Sequence, residues 1–247
     1  MSFSLSAEDK LLLSKADDTI ELSQRRFKPV FLGFLNEHEA QLIKDNIHLS
    51  DDCMFFGGYS DAQRVIFGSN VTSLSDFPLV ALKFAYKKEF KLTHRDFLGS
   101  LMALGIERST VGDILVFDDE AIVFVKSDIS DYIKQQIQKI GRVGVKISEQ
   151  QLSDIDYESK FDDLSFTVSS LRLDVFVSAL CSLSREKSQK LILSDSVSVN
   201  HSIVNSVSKM LSVNDVITIK KYGKFVFAED LGFSKKGKYR VSVKHFR

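Results

Sequence analysis

Between residues 75 and 150 the apolar spacing switches repeatedly between a strand period and a helix period. This restricts the chain more than any other feature of its sequence. "LVALKFAYK" alternates as a strand, and "THRDFLGSLMALG" has helical spacing and stops at Gly105. "GDILVFDDEAIVFV" is two strands around an acidic turn, Asp118-Asp119-Glu120. "SDISDYIKQQIQKIG" is a helix capped by Ser127 or Asp128 with Gly141 after its end, and "VGVKIS" is a last strand. The order β-α-β-β-α-β is the split-βαβ, ferredoxin-like arrangement used by RNA-recognition modules and by many unrelated enzymes. The fold alone therefore assigns no function.

The flanking segments predict an α+β chain in three parts. Residues 1–74 read as a small α+β domain: a helix in "AEDKLLLSKADDTIELSQ", a second in "NEHEAQLIKDNI" capped by Asn36, and paired strands "CMFFGGYS" and "RVIFGSN". Residues 75–150 form the middle domain. Residues 149–165 are polar and acidic and read as a connector whose charge keeps it from phosphate. Residues 166–247 form a third domain: strand "FTVSS", helices "LRLDVFVSALCS" and "SREKSQKLILS", then alternating strands "SVSVN", "VITIKKYGKFVFAED" and "KYRVSVKHF".

Charge separates these parts. The net charge of the 247 residues is zero, yet residues 166–247 hold 14 Lys+Arg against 6 Asp+Glu. Residues 1–165 hold 19 against 27. Such a split points to a polyanion-binding module on a more acidic body, whose acidic half is open to protein partners. With 2 Cys, neither a disulfide framework nor a Cys-rich zinc site is available, and a reducing compartment is expected. The N-terminus mixes acids with apolar residues, unlike a signal or transit peptide, and no apolar run is long enough to span a membrane. These features predict a cytoplasmic protein.

The basic residues cluster further. Ser184 is a good helix cap, and the N–H groups of the turn it opens suit a phosphate. Arg185 lies in that turn, and Lys187 and Lys190 are neighbours on one face. By itself this is an ordinary solvated helix. It is preceded by Arg172-Leu173-Asp174 and followed by "VSVN", "NDVITI" and Lys220, Lys221 and Lys224 around Gly223. The tail "SKKGKYRVSVKHFR" adds Lys235, Lys236, Lys238, Arg240, Lys244 and Arg247, with Tyr239, His245 and Phe246 interleaved. Cations alternating with aromatics suit RNA, through phosphate neutralisation and base stacking. In the middle segment, Arg95 and Arg108 flank the Gly-ended helix as a second candidate contact, with structural pairing an equal alternative. Thr93 and Asp96 read as a capping box.

Enzyme signatures are missing. There is no dinucleotide fingerprint, P-loop, nucleophile elbow or Cys–His pair, and the 5 His have no ligand spacing. His94-Arg95-Asp96 lacks the rest of a kinase catalytic loop. No catalytic residue, metal or cofactor is expected.

The ordered set from residue 171 to 226 resembles the S4 RNA-binding domain. By position, that resemblance implies RNA contacts at Arg172, Ser184, Arg185, Lys187, Gln189, Lys190, Lys220 and Lys221. The family commonly has Gly where this chain has Asp195, a residue that still tolerates a left-handed turn. His201 replaces another frequent Gly and reads as an exposed turn residue. Lys at 220, 221 and 224 keeps the charge of the family's frequent Arg without its bidentate geometry.

Over nearly the whole chain, "FFGGY" with Arg64, "HRDFLGSLMALGIERSTVGDI" and "GFSKKGKYRV" resemble the bacterial YlmH family. The resemblance implies a non-enzymatic protein that binds rRNA and tRNA on the large ribosomal subunit. It also implies a role in ribosome-associated quality control, stabilising peptidyl-tRNA on obstructed subunits. The alternatives are an RNA-modifying enzyme targeted by its S4 domain, or a cell-division-linked adaptor.

Overall fold

A computed structural model describes residues 5–155, 157, 161–200 and 202–246. His201 and Arg247 lie outside them. The chain divides into two compact units, Met1–Glu158 and Ser159–Arg247.

The first unit opens with α1 (Ala7–Arg26), β1 (Val30–Leu35), α2 (Glu37–Asn46), β2 (Met54–Phe56) and β3 (Val65–Ser69). Both helices start where polar caps satisfy free N–H groups. Ser6 accepts from the Asp9 amide, and Asn36 accepts from the Glu39 amide. The strands form an antiparallel sheet in the order β1-β3-β2.

The unit continues with β4 (Leu79–Ala85), α3 (His94–Met102), β5 (Val111–Val116), β6 (Glu120–Lys126) and α4 (Ser127–Gln136). A short ribbon follows, β7 (Lys139–Ile140) with β8 (Val143–Gly144), and then β9 (Lys146–Gln150). The four long strands form an antiparallel sheet in the order β5-β6-β4-β9, so each helix crosses over a central strand. Helix α4 is shorter than its sequence pattern predicts. Ile137 and Ile140 are both buried, Gly141 turns at φ 58°, and the backbone after Gln136 pairs as a ribbon.

Alternation along these strands fills two cores. Leu82, Phe84, Val123 and Val125 pack on the helix side with Phe97, Leu101 and Ile133. Leu79, Ala81, Leu115, Ile122 and Phe124 face the other way and pack with Phe34, Tyr59, Ile66 and Phe77. Segments 1–74 and 75–150 therefore share a core within one unit.

"FFGGY" is shaped by this packing. A Cβ on Gly58, at φ 105°, would stand 2.3 Å from the Phe124 ring, and one on Gly57 2.3 Å from the Arg64 carbonyl oxygen.

The second unit comprises β10 (Phe161–Val168), α5 (Leu173–Leu180), α6 (Arg185–Leu193), β11 (Val197–Val199), β12 (Ser202–Ile203), β13 (Val216–Ile219), β14 (Gly223–Phe233) and β15 (Tyr239–Phe246). Its sheet is antiparallel in the order β10-β15-β14-β13-β11-β12. Phe176, Val177 and Ile192 of the helices bury Ile217, Ile219, Phe225, Phe227, Val241 and Val243 on one face.

Two expectations need correction. Residues 149–165 are not a plain connector: β9 reaches Gln150, β10 begins at Phe161, and Leu152, Ile155 and Tyr157 pack on the first unit's core. The apolar alternation of Leu164, Phe166 and Val168 draws the acidic residues before them into the strand. The basic tail is likewise not appended to the third domain but part of its sheet. Its Val241 and Val243 make it an interior strand, β15, between β10 and β14.

Candidate nucleic-acid interface

Among the described residues of the second unit, the Asp174 carboxylate gathers the most side-chain bonds, with 0% of its side chain exposed. Asp174 stands in the first turn of α5, where the helix dipole favours an acid. Arg172 donates from Nε to Oδ1 at 3.0 Å and from an Nη group to Oδ2 at 3.1 Å. Arg185 Nε reaches Oδ2 at 3.0 Å, and Gln189 Nε2 reaches it at 3.1 Å. Burial alone would raise the carboxyl's pKa, but the bonds from Arg172, Gln189 and Arg185 prevail and hold it far below the usual carboxylate range.

The backbone reinforces this junction. Ser188 Oγ donates to the Asp174 carbonyl at 2.9 Å and ties α6 to α5. Ser184 caps α6, accepting from the Lys187 amide at 3.4 Å.

Three sequence-predicted residues, Arg172, Arg185 and Gln189, thus meet at one buried acid. Their bonds to it do not use the whole guanidinium of either arginine. Arg185 binds through Nε and remains 60% exposed, and Arg172 is 32% exposed. Lys187 and Lys190 lie exposed on the same helix, Lys190 paired with Glu186 at 2.7 Å.

The far end of α6 is joined to another basic turn. Lys220 N donates to the Ser196 carbonyl at 2.9 Å, which places Lys220 and Lys221 beside the turn after α6. Asp195 occupies that turn at φ 53°, the left-handed conformation expected of it. Exposed cations therefore stand at both ends of α6.

The remaining predicted residues lie elsewhere. Lys235 and Lys236 are exposed in the turn between β14 and β15, where Lys238 N donates to Ser234 Oγ. Lys224 and Arg240 belong to the sheet face turned away from the helices. His245 stacks on the buried Phe225 ring at 4.4 Å.

In the first unit, Arg95 is exposed, while Arg108 is held by structure. Arg108 donates to the Val111 carbonyl and, at 3.3 Å, to that of Gly112. Burial, then the neighbouring Arg64 cation, pulls Arg108 down to about 10. Arg64 spans the same junction through the carbonyls of Val111 at 3.0 Å, Phe34 at 2.9 Å and Arg108 at 3.3 Å. Burial and then Arg108 also lower the pKa of His94. Thr93 donates from its amide and hydroxyl to Asp96, forming the carboxylate half of the expected capping box.

Sequence reasoning assigned no role to Asp174. Its signal was present: an acid at the apolar start of a helix, two residues after one arginine and eleven before another.

Residues 73–154 match the family model described as "Putative RNA-binding domain in YlmH", and residues 171–217 match the S4 domain. The chain is 29% identical over 246 residues to the Bacillus subtilis (strain 168) "Ribosome-associated protein quality control protein P2". That alignment covers 95% of this chain and 94% of its relative. Together these likenesses support a YlmH-family S4-domain protein. A solved structure, "Cell division protein ylmH from Streptococcus pneumoniae", is also similar to this chain. It has a TM-score of 0.51 at 27% identity, covering 63% of this chain and 99% of that one. The Asp174 cluster and all of α6 lie within the S4 match. Among the described residues, no helix is long and apolar enough to cross a membrane.

Proposed function

We propose that this protein binds rRNA and tRNA of the large ribosomal subunit through α5, α6 and the Lys220–Lys221 turn. In this reading it is a cytoplasmic, non-enzymatic factor in ribosome-associated quality control that stabilises peptidyl-tRNA on obstructed subunits. The observation that carries the proposal is the Asp174 cluster inside the S4 match, which fixes two arginines while leaving them reachable by a ligand. Orientation by a buried acid reduces the side-chain entropy lost when a phosphate binds. The similarity to the Bacillus subtilis quality-control protein supports the ribosomal setting.

The middle sheet limits how the first unit could take part. RNA-recognition sheets stack bases on the face opposite their helices. Here that face is covered by Phe34, Tyr59, Ile66 and Phe77, so bases have no access to it. Arg95 remains the exposed candidate there, whereas Arg108 serves the fold.

The test is Arg185→Glu combined with Lys190→Glu in the full chain. Co-sedimentation with large subunits and affinity for rRNA and tRNA should both fall, and each remaining phosphate contact should contribute about 0.7–0.9 to the log–log salt slope. Unchanged binding by the folded variant would overturn the assignment. Similarity to the Streptococcus pneumoniae cell division protein favours a second reading, a division-linked protein adaptor. Partner binding that survives nuclease, without ribosome co-sedimentation, would select it.

A further inference from the structure

The C-terminal sheet has a second face. Register places Phe161, Asp163, Ser165 and Thr167 of β10 opposite Phe246, Lys244, Ser242 and Arg240 of β15. Lys224 and Val226 of β14 stand opposite Phe246 and Lys244 on the other side of β15. Cross-strand partners share a face, and this one points away from α5 and α6. None of these residues is buried, and Phe161 is 41% exposed.

One end of this face is chemically distinct. The Phe161 and Phe246 rings lie 6.2 Å apart. Lys244 Nζ sits 4.2 Å from the Phe161 centroid, and Lys224 Nζ 5.2 Å from that of Phe246. Asp163 stands opposite Lys244 at this end. The end is continuous with the surface proposed above. The turn holding Lys220, Lys221 and the exposed Tyr222 leads directly into β14 at Gly223, and the same turn is bonded to the end of α6.

We infer that this end of the outer sheet face binds a single-stranded RNA segment, with bases on Phe161 and Phe246 and phosphates on Lys224 and Lys244. The inference rests on the RNA-binding reading and adds a separate site to it. Aromatic rings accept any base by stacking, and adjacent cations neutralise the backbone between bases. A base can stack on an exposed ring face while the lysine beside it meets the adjoining phosphate. A strand leaving α6 can pass the Lys220–Lys221 turn and reach the rings without crossing the apolar core. A duplex cannot present unstacked bases to them.

The full chain should be titrated with a fluorescent oligouridylate and, separately, with a blunt RNA duplex. Phe161→Leu with Phe246→Leu should weaken oligouridylate binding about tenfold while leaving duplex binding within about twofold. Lys224→Gln with Lys244→Gln provides an independent variant that keeps both rings, and it should reduce the salt slope for oligouridylate. Crosslinks from 4-thiouridine should map to β10 and β15 in the wild type and disappear in the leucine variant. Wild-type oligouridylate affinity in both folded variants would overturn the site. So would protection of this face by a protein partner that persists after nuclease. Arg185→Glu with Lys190→Glu separates the two proposals. If that variant retains ribosomal RNA binding, the helix surface fails; if only the sheet variants are silent, the second site fails.

Discussion

Arg185 Nε lies 3.0 Å from the Asp174 carboxylate, although the two residues belong to different helices and Asp174 is fully enclosed. The acid links α5 to α6 and also sets the direction of a cation. Loss of the acid and loss of the cation should therefore have different consequences.

Asp174→Ala should destabilise the second unit by about 3 kcal/mol, because it removes the common acceptor of Arg172, Arg185 and Gln189. Arg185→Ala should cost less than about 1 kcal/mol, since the side chain is 60% exposed and Arg172 still neutralises the acid. Urea unfolding of the two variants measures the difference. Equal losses would contradict the role given to Asp174.

The pH dependence has a definite sign. The folded-state pKa of Asp174 is depressed below its ordinary value of 3.8. Its contribution is therefore complete above about pH 5 and is lost as pH falls below 3.8 toward the folded value. The stability gap between wild type and Asp174→Asn should stay flat from about pH 5 to 7 and narrow under acid. Denaturant midpoints across that range provide the measurement.

Arg64→Lys should lower the stability of the first unit by about 2 kcal/mol, because an ammonium cannot reproduce a guanidinium that spans three carbonyl oxygens. Arg95→Ala should leave the melting temperature unchanged, as expected for an exposed side chain. A thermal scan of both variants separates the structural arginine from the surface one.

Gly58→Ala should destabilise by more than about 1 kcal/mol. It combines φ 105° with a Cβ only 2.3 Å from the Phe124 ring. Phe124→Ala should cost about 3–5 kcal/mol, since that ring fills the core shared by the middle sheet and the N-terminal layer. Calorimetry should show loss of the first unit as a whole.

The fold was readable wherever periodicity was strong. Helices α1 and α2, the alternation of β4 to β6, and the order of the S4 elements all appear in the sequence as caps and apolar spacing. The acidic run before Leu164 concealed the start of β10, because composition at a strand's end says little when its partner is some eighty residues away. The same distance hid the interior position of β15 behind its lysines. At the candidate site the cations were legible, but their organiser was not. Asp174 registers in the sequence as a helix-start acid, and its function as a shared acceptor depends on α6 folding back against α5. Arg108 shows the converse: its charge was visible, but the carbonyl oxygens that occupy it come from chain geometry.

The place of β15 between β10 and β14 has a consequence for biogenesis. β10 finds its sole described sheet neighbour in β15, some eighty residues later in the chain. Until β15 has been made, β10 carries an unpaired edge, and the apolar face that Val241 and Val243 cover stays open to aggregation.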